Sequence, residues 1–282
     1  MKSTGLIPVG CLLLLMVLSP LCQYHLDKKR SAIFQETTKG YIIPSQFSGP
    51  ASLEFKGLVS DFLYLKISTY IGDKIMNRKK MDSSHADFFY QAANIITDLD
   101  PYFWDAYLMT SMFLAWDFGR VDLANRLLKK ATIYRTWDYK PPYYLGFYSY
   151  YFLKDNATAS QYLMEAARRG GGTSLVPLAT RLSVYQNDLA PAILLLKEQL
   201  EMTQDQLMSM HLKTRLQVII TLDRLGKKVL EFKKYHGHFP EKITDLIAAK
   251  LIDHIPEDPY GGEFYIKPDG HVYTTSNLRF SK

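Results

Sequence analysis

Cysteine is almost missing from this chain: of 282 residues, only Cys11 and Cys22 are cysteines, and both lie in the hydrophobic N-terminal stretch. The body therefore holds no disulfide, no Cys-ligated zinc and no cysteine nucleophile. A long basic stripe is missing as well. The net charge is +6 and the pI near 9.0. The basic residues are nevertheless scattered, with short clusters at Lys28-Lys29-Arg30 and Arg78-Lys79-Lys80. With no nucleic-acid motif beside them, nucleic acid is not an expected partner. The sequence also lacks a nucleophile elbow, a Walker loop and an HExxH pair. Gly170-Gly171-Gly172 follows Arg168-Arg169 but lacks the Gly-Lys-Ser/Thr ending of a phosphate loop. It reads as a helix C-cap and loop. Asn156-Ala157-Thr158 matches a glycosylation sequon that only a eukaryotic secretory setting would use.

What is present begins with one hydrophobic run. Residues 5–22, GLIPVGCLLLLMVLSPLC, carry no charge. As a helix they would span roughly 27 Å, close to the ~30 Å hydrocarbon core. An uncleaved membrane anchor is the leading expectation. A cleaved signal is the main alternative, with Leu12 to Leu18 as its apolar region, but Pro20 follows the best cleavage position. A lipoprotein would want a small residue before Cys22, where Leu21 stands. Lys28, Lys29 and Arg30 argue for a cytoplasmic body. The short N-terminus argues for an exported one, and an exported body is the adopted expectation.

Residues 31–57 read as a linker, with Gly40, Pro44, Gly49 and Pro50. From Leu58 a helical pattern starts, with Leu58, Phe62, Leu65, Thr69 and Gly72 on one stripe and Val59, Leu63, Ile67 and Tyr70 beside it. An internal repeat follows. Phe89, Ala93 and Ile96 recur 35 residues on as Ala124, Leu128 and Ala131, and 35 further as Ala159, Leu163 and Ala166. Ala192, Leu196 and Gln199 form a fainter fourth copy. The i, i+4, i+7 spacing marks one helical face, and turn signals at Phe118-Gly119-Arg120, Lys154-Asp155-Asn156 and Gln186-Asn187-Asp188 precede the helices. The period, and the ending Asp98-Leu99-Asp100-Pro101, resemble the tetratricopeptide repeat over about residues 84–200. Only the first copy has that proline, and the first helix of each pair lacks the usual small packing residue. An irregular helical bundle is the competing reading.

The character changes after Leu225-Gly226-Lys227. An amphipathic helix from Val229 to Tyr235 leads to Phe239-Pro240, a short helix over residues 241–249, and the turn Asp258-Pro259-Tyr260-Gly261-Gly262. A hairpin closes the module, with Phe264-Tyr265-Ile266, a Pro268-Asp269-Gly270 turn and Val272-Tyr273-Thr274-Thr275. This order resembles the C-terminal part of type II secretion and type IV pilin-like proteins, although no prepilin cleavage motif is present. With the stretch from Phe55 to Leu65, the whole arrangement resembles uncharacterised tetratricopeptide-like envelope proteins of deltaproteobacterial type.

The expected fold is therefore all-α: a tetratricopeptide-like helical repeat array with a small α/β C-terminal module and an N-terminal membrane anchor. Its divisions are 1–30 (anchor and basic flank), 31–57 (linker), 58–225 (repeats) and 226–282 (helix plus hairpin module). The resemblance implies a membrane-anchored scaffold that binds other proteins in a bacterial envelope assembly, with secretion or pilus assembly as its setting. Its place would be the inner membrane, single-pass through residues 5–22, with a periplasmic body. No cofactor, no metal and no catalytic residue is expected. One alternative is an envelope enzyme using His236, His238, His254 and His271, although His236-Gly237-His238 offers too few ligands for zinc. Another is a structural pilin-like subunit. Asp258 and Asp269 could supply oxygen to calcium, or simply form turns. Candidate partner-binding residues are Trp104, Tyr107, Tyr144, Tyr148, Phe264 and Tyr265, because tyrosine and tryptophan pair large contact area with a polar handle.

Overall fold

The computed structural model describes residues 18–20, 23–26, 45–77 and 83–279. The hydrophobic run at 5–22 thus lies outside the described residues except for 18–20. No described helix is long and apolar enough to cross a membrane. The chain forms two compact units, Met1–Leu99 and Asp100–Lys282.

The first unit contains α1 (Ser45–Ser52), α2 (Lys56–Met76) and α3 (Ser83–Leu99). α2 and α3 run antiparallel. The Ser60 hydroxyl near the start of α2 donates to the Ile96 carbonyl at 3.2 Å, while the Tyr70 ring meets Phe88 and Phe89 near the start of α3. α1 occupies part of the expected linker. Its Ser, Gly and Pro content disfavours a helix, but it packs on both neighbours and buries Ser48 and Ser52, and packing overrides weak propensity. α2 is apolar on more than one face. Ile67 and Ile71 point into the unit, whereas Leu58, Phe62 and Leu65 of the expected stripe are turned outward, each more than 60% exposed.

The second unit is a chain of helices in which each packs mainly on the next: α4 (Trp104–Trp116), α5 (Val121–Tyr134), α6 (Lys140–Tyr151), α7 (Asn156–Ala166), α8 (Val176–Tyr185), α9 (Ala190–Met202) and α10 (Gln206–His236). Such neighbour-to-neighbour packing is how helical repeats build a continuous core. α6, α8 and α9 each carry proline in the first turn, where its missing N–H costs nothing. Asp155 and Asp205 cap α7 and α10, accepting the Thr158 and Met208 amides at 3.0 and 2.9 Å. Every residue of the repeat read from sequence is buried, on α3, α5, α7 and α9 in turn.

The expectation that the first helices lack a small packing residue is corrected. Gly146 on α6 lies against α7 so closely that an added Cβ would stand 2.8 Å from Leu163 Cγ and 3.2 Å from the Ala159 carbonyl oxygen. Ser111, 35 residues earlier on α4, is likewise fully buried. The expected break at residue 225 is corrected too. α10 runs 31 residues through Leu225 and Gly226, because Val218, Leu222, Leu225, Val229 and Phe232 keep one apolar face continuous across it.

Beyond α10, α11 (Ile243–Ala248) and an antiparallel hairpin, β1 (Phe264–Ile266) with β2 (Val272–Thr274), fold back onto the last helices. Phe264 pairs with Thr274 and Ile266 with Val272. At the tip Gly270 has φ +85°, and its Cα faces the Phe239 ring so closely that no side chain fits. Ile243, Leu246, Phe264, Val272, Tyr273 and Leu278 join one hydrophobic core with α7 to α10.

Candidate partner-binding face

The rings of α4 come from Trp104, Tyr107, Phe113 and Trp116, and those of α6 from a tyrosine-rich segment, Tyr143 to Tyr151, so consecutive turns place ring beside ring. Trp104 opens α4 and Trp116 closes it. At the first end, Trp104 and Tyr144 rings stand 6.0 Å apart. The Arg135 guanidinium lies 5.6 Å from the Trp104 ring and 5.7 Å from Trp137, and the Lys140 ammonium 5.8 Å from Trp104. Arg135 is itself fixed by an ion pair with Asp138 at 2.7 Å and by a hydrogen bond to the Tyr102 carbonyl. A cation held over indole in this way stiffens the patch.

At the other end, Trp116 contacts Tyr151 at 5.1 Å and Phe152 edge-on at 4.9 Å, while Phe147 and Tyr151 stack 5.6 Å apart with planes 9° from parallel. Trp116 is 50% exposed, Tyr151 45% and Met112, between the two ends of α4, 43%. The Lys154 ammonium sits over Tyr151 at 5.3 Å. Beneath, Tyr148 joins the two ends, 6.2 Å from Tyr144 and 5.7 Å from Phe152. The resulting surface is apolar, ring-lined and rimmed by lysine and arginine.

The six candidate residues thus separate. Trp104 and Tyr144 lie together on this face, half-buried. Burial raises the Tyr144 phenol above its ordinary range, with Tyr143 adding to the effect. Tyr107 and Tyr148 are fully buried, which corrects their expected role: they point inward and support the face. Burial pushes Tyr148 up to about 12, with Ser111 beside it pulling the other way. Phe264 is corrected likewise, since its side chain enters the core. Tyr265, on the opposite face of β1, is exposed and stacks 6.0 Å from Tyr273, far along the chain from the α4–α6 rings. Met112 is the residue of this face that sequence reasoning passed over; Tyr151 and Phe152 belong to an aromatic run, Tyr143 to Phe152, that the sequence already shows. The aromatic run was legible, but which turn faces outward depends on how α6 is clamped to α7 at Gly146.

Several of the remaining candidates make local contacts. His236 stacks on Phe232 at 4.2 Å, and His238 Nδ1 lies 2.9 Å from the Phe239 carbonyl. Among the described residues, no three of His, Cys, Asp and Glu stand close enough to hold a metal ion. Asp269 accepts the His271 amide at 3.0 Å in the hairpin turn, and Asp258 accepts the Tyr260 amide at 2.9 Å and the Ser276 hydroxyl at 2.7 Å. Arg168 pairs with Glu198 at 2.7 Å, and Arg169 donates to the Arg135 carbonyl at 3.1 Å.

No protein family, characterised protein or solved structure matches this chain.

Proposed function

We propose that this protein is a membrane-tethered, tetratricopeptide-like scaffold that binds another protein, and not an enzyme. The observation that carries the reading is the ring-lined face of α4 and α6, with Trp116, Tyr151 and Met112 exposed together. Contiguous exposed apolar surface on a folded helical array is characteristic of an interaction site, and aromatic anchors supply most of the energy at such sites. The rings are apolar and the rim cations are few, so the fitting partner is an apolar peptide segment, with Lys140 and Lys154 steering its ends. Membrane tethering rests on the uncharged run at 5–22 and is supported by the outward stripe Leu58, Phe62 and Leu65 on α2. A bacterial inner membrane with an exported body, in a secretion or pilus-related assembly, is the setting that the envelope-protein and pilin-like resemblances suggest.

The test uses the full-length chain in its native membranes. A photo-crosslinking side chain placed at Met112 should give one discrete protein adduct that Trp116→Ala together with Tyr151→Ala abolishes. The same probe at Ile133, exposed on α5, should give none. Identical adducts from both positions, or an adduct indifferent to the double substitution, would sink the assignment. The tether is tested separately by sequencing the mature N-terminus. A start beyond residue 19 would show a cleaved signal instead.

A further inference from the structure

A second site lies at the other end of the second unit, remote in sequence from the aromatic face. Between the start of α8, the first half of α10 and the C-terminal strap is a cavity of about 400 Å³. Val176, Leu212, Tyr260 and Leu278 give it apolar walls. Arg215 also lines the cavity and is itself 9% exposed. Its guanidinium donates to the Pro177 carbonyl at 3.3 Å, the Thr180 hydroxyl at 3.2 Å and the Leu278 carbonyl at 2.8 Å, and lies 5.8 Å from the Tyr260 ring.

Every one of these partners is neutral. They satisfy hydrogen bonds but leave the charge itself without a counter-ion, and a buried arginine is costly unless a negative charge compensates it. The surrounding residues increase the imbalance. Arg279, exposed, lines the same cavity, and Arg181 stands close enough that both cations, together with burial, depress the Arg215 pKa from its ordinary value; burial is the largest cause. Asp258, the carboxylate next to Tyr260, is already engaged by the Tyr260 amide and by the Thr274 and Ser276 hydroxyls. Within the described residues, Arg215 forms no ion pair.

We infer that this cavity is a binding site for a small amphipathic monocarboxylate, with the carboxylate against Arg215 and Arg279 and a short apolar body along Val176, Leu212 and Leu278. The volume falls within the range of small-molecule sites, and a planar guanidinium suits a planar carboxylate. The apolar walls disfavour inorganic phosphate, which would leave them wet. Because the site joins α8, α10 and the strap ending at Leu278, an occupant would also tie the C-terminal module to the repeats.

The probe is hexanoate, titrated by ligand-observed NMR into the full-length chain in lipid nanodiscs, with empty nanodiscs subtracting lipid partition. Hexan-1-ol and inorganic phosphate are the comparators. Hexanoate should bind at least about tenfold tighter than hexan-1-ol, the discrimination expected of a charge-assisted contact, and phosphate should bind weakly or not at all. Arg215→Met should erase the preference for acid over alcohol. Should that variant lose its helical signal, Arg279→Gln decides, since Arg279 is exposed and its replacement leaves the core intact. It should weaken hexanoate several-fold and hexan-1-ol not at all. Equal binding of acid and alcohol, binding of phosphate at least as tight as hexanoate, or hexanoate affinity unchanged by Arg279→Gln overturns the inference.

Discussion

At Gly146 the missing side chain is what allows α6 and α7 to meet. An added methyl would reach Leu163 at a distance that real Cβ atoms essentially never show, and Leu163 is itself buried and has nowhere to swing. Gly146→Ala should therefore cost ~1–3 kcal/mol by overpacking, despite alanine's better helix propensity. Ala124→Leu and Ala159→Leu should cost a similar amount for the same reason, read as a lowered midpoint in denaturant unfolding. Unchanged midpoints would mean that the helices do not pack in this register. Tyr148 makes a different case. Its hydroxyl is buried, and the phenol is held up to about 12 against an ordinary 10.0. A phenol that ionises more easily unfolded than folded contributes stability below pH 10, and that contribution is lost as the pH rises from about 10 towards about 12. Tyr148→Phe should be close to neutral at pH 7 and should flatten the alkaline loss, measured as Tm against pH. Asp122 shows the opposite sign. Arg120, hydrogen-bonded to it, holds its carboxyl down to about 2, with Arg126 assisting. Its contribution is present above about pH 4 and lost as the pH falls towards 2, and on so exposed a group it should be small and sensitive to salt.

Among the elements, α10 offers the cleanest separation of propensity from packing. Gly226 stands inside a continuous helix with open space where a Cβ would go. Gly226→Ala should stabilise the protein by ~0.5–1 kcal/mol, raising Tm without changing the fold. If residue 226 were instead a hinge, the same substitution would be neutral or harmful. For α7, Asp155→Ala removes the cap that accepts the Thr158 amide, and should cost ~0.5–2 kcal/mol. The hydrogen bond to Thr158 also holds the Asp155 carboxyl below its usual range, so the difference between parent and variant should shrink in acid. The period of the helices was legible beforehand because apolar residues at i, i+4, i+7 mark a face whatever the partner is. The outward stripe of α2 was not, because that helix is apolar on adjoining faces and its contacts with α3, made at Ser60 and Tyr70 of α2, help select which one is buried.

For the molecule as a whole, the C-terminal module contributes residues to the core of the last helices. Phe264, Val272, Tyr273 and Leu278 lie in the same apolar cluster as α7 to α10, and Tyr273 also donates its hydroxyl to the Tyr185 carbonyl at 3.3 Å. Deleting residues 237–282 should leave that apolar face bare, giving aggregation and rapid proteolysis of the repeats. A truncated chain that stays monomeric and protease-resistant would mean that the module folds apart from them. Composition and periodicity were enough to establish a helical protein with a repeat near 35 residues, a hairpin at residues 264–275 and one hydrophobic run near the N-terminus, because each of these depends on local spacing alone. They could not separate the inward Tyr107 and Tyr148 from the exposed Trp116 and Tyr151, nor foresee a cavity that joins Val176, Arg215, Tyr260 and Arg279. The positions in those groups are set by contacts between segments distant in the chain, where close approach at one residue, such as Gly146, fixes how its helix is rotated and which of its side chains meet water.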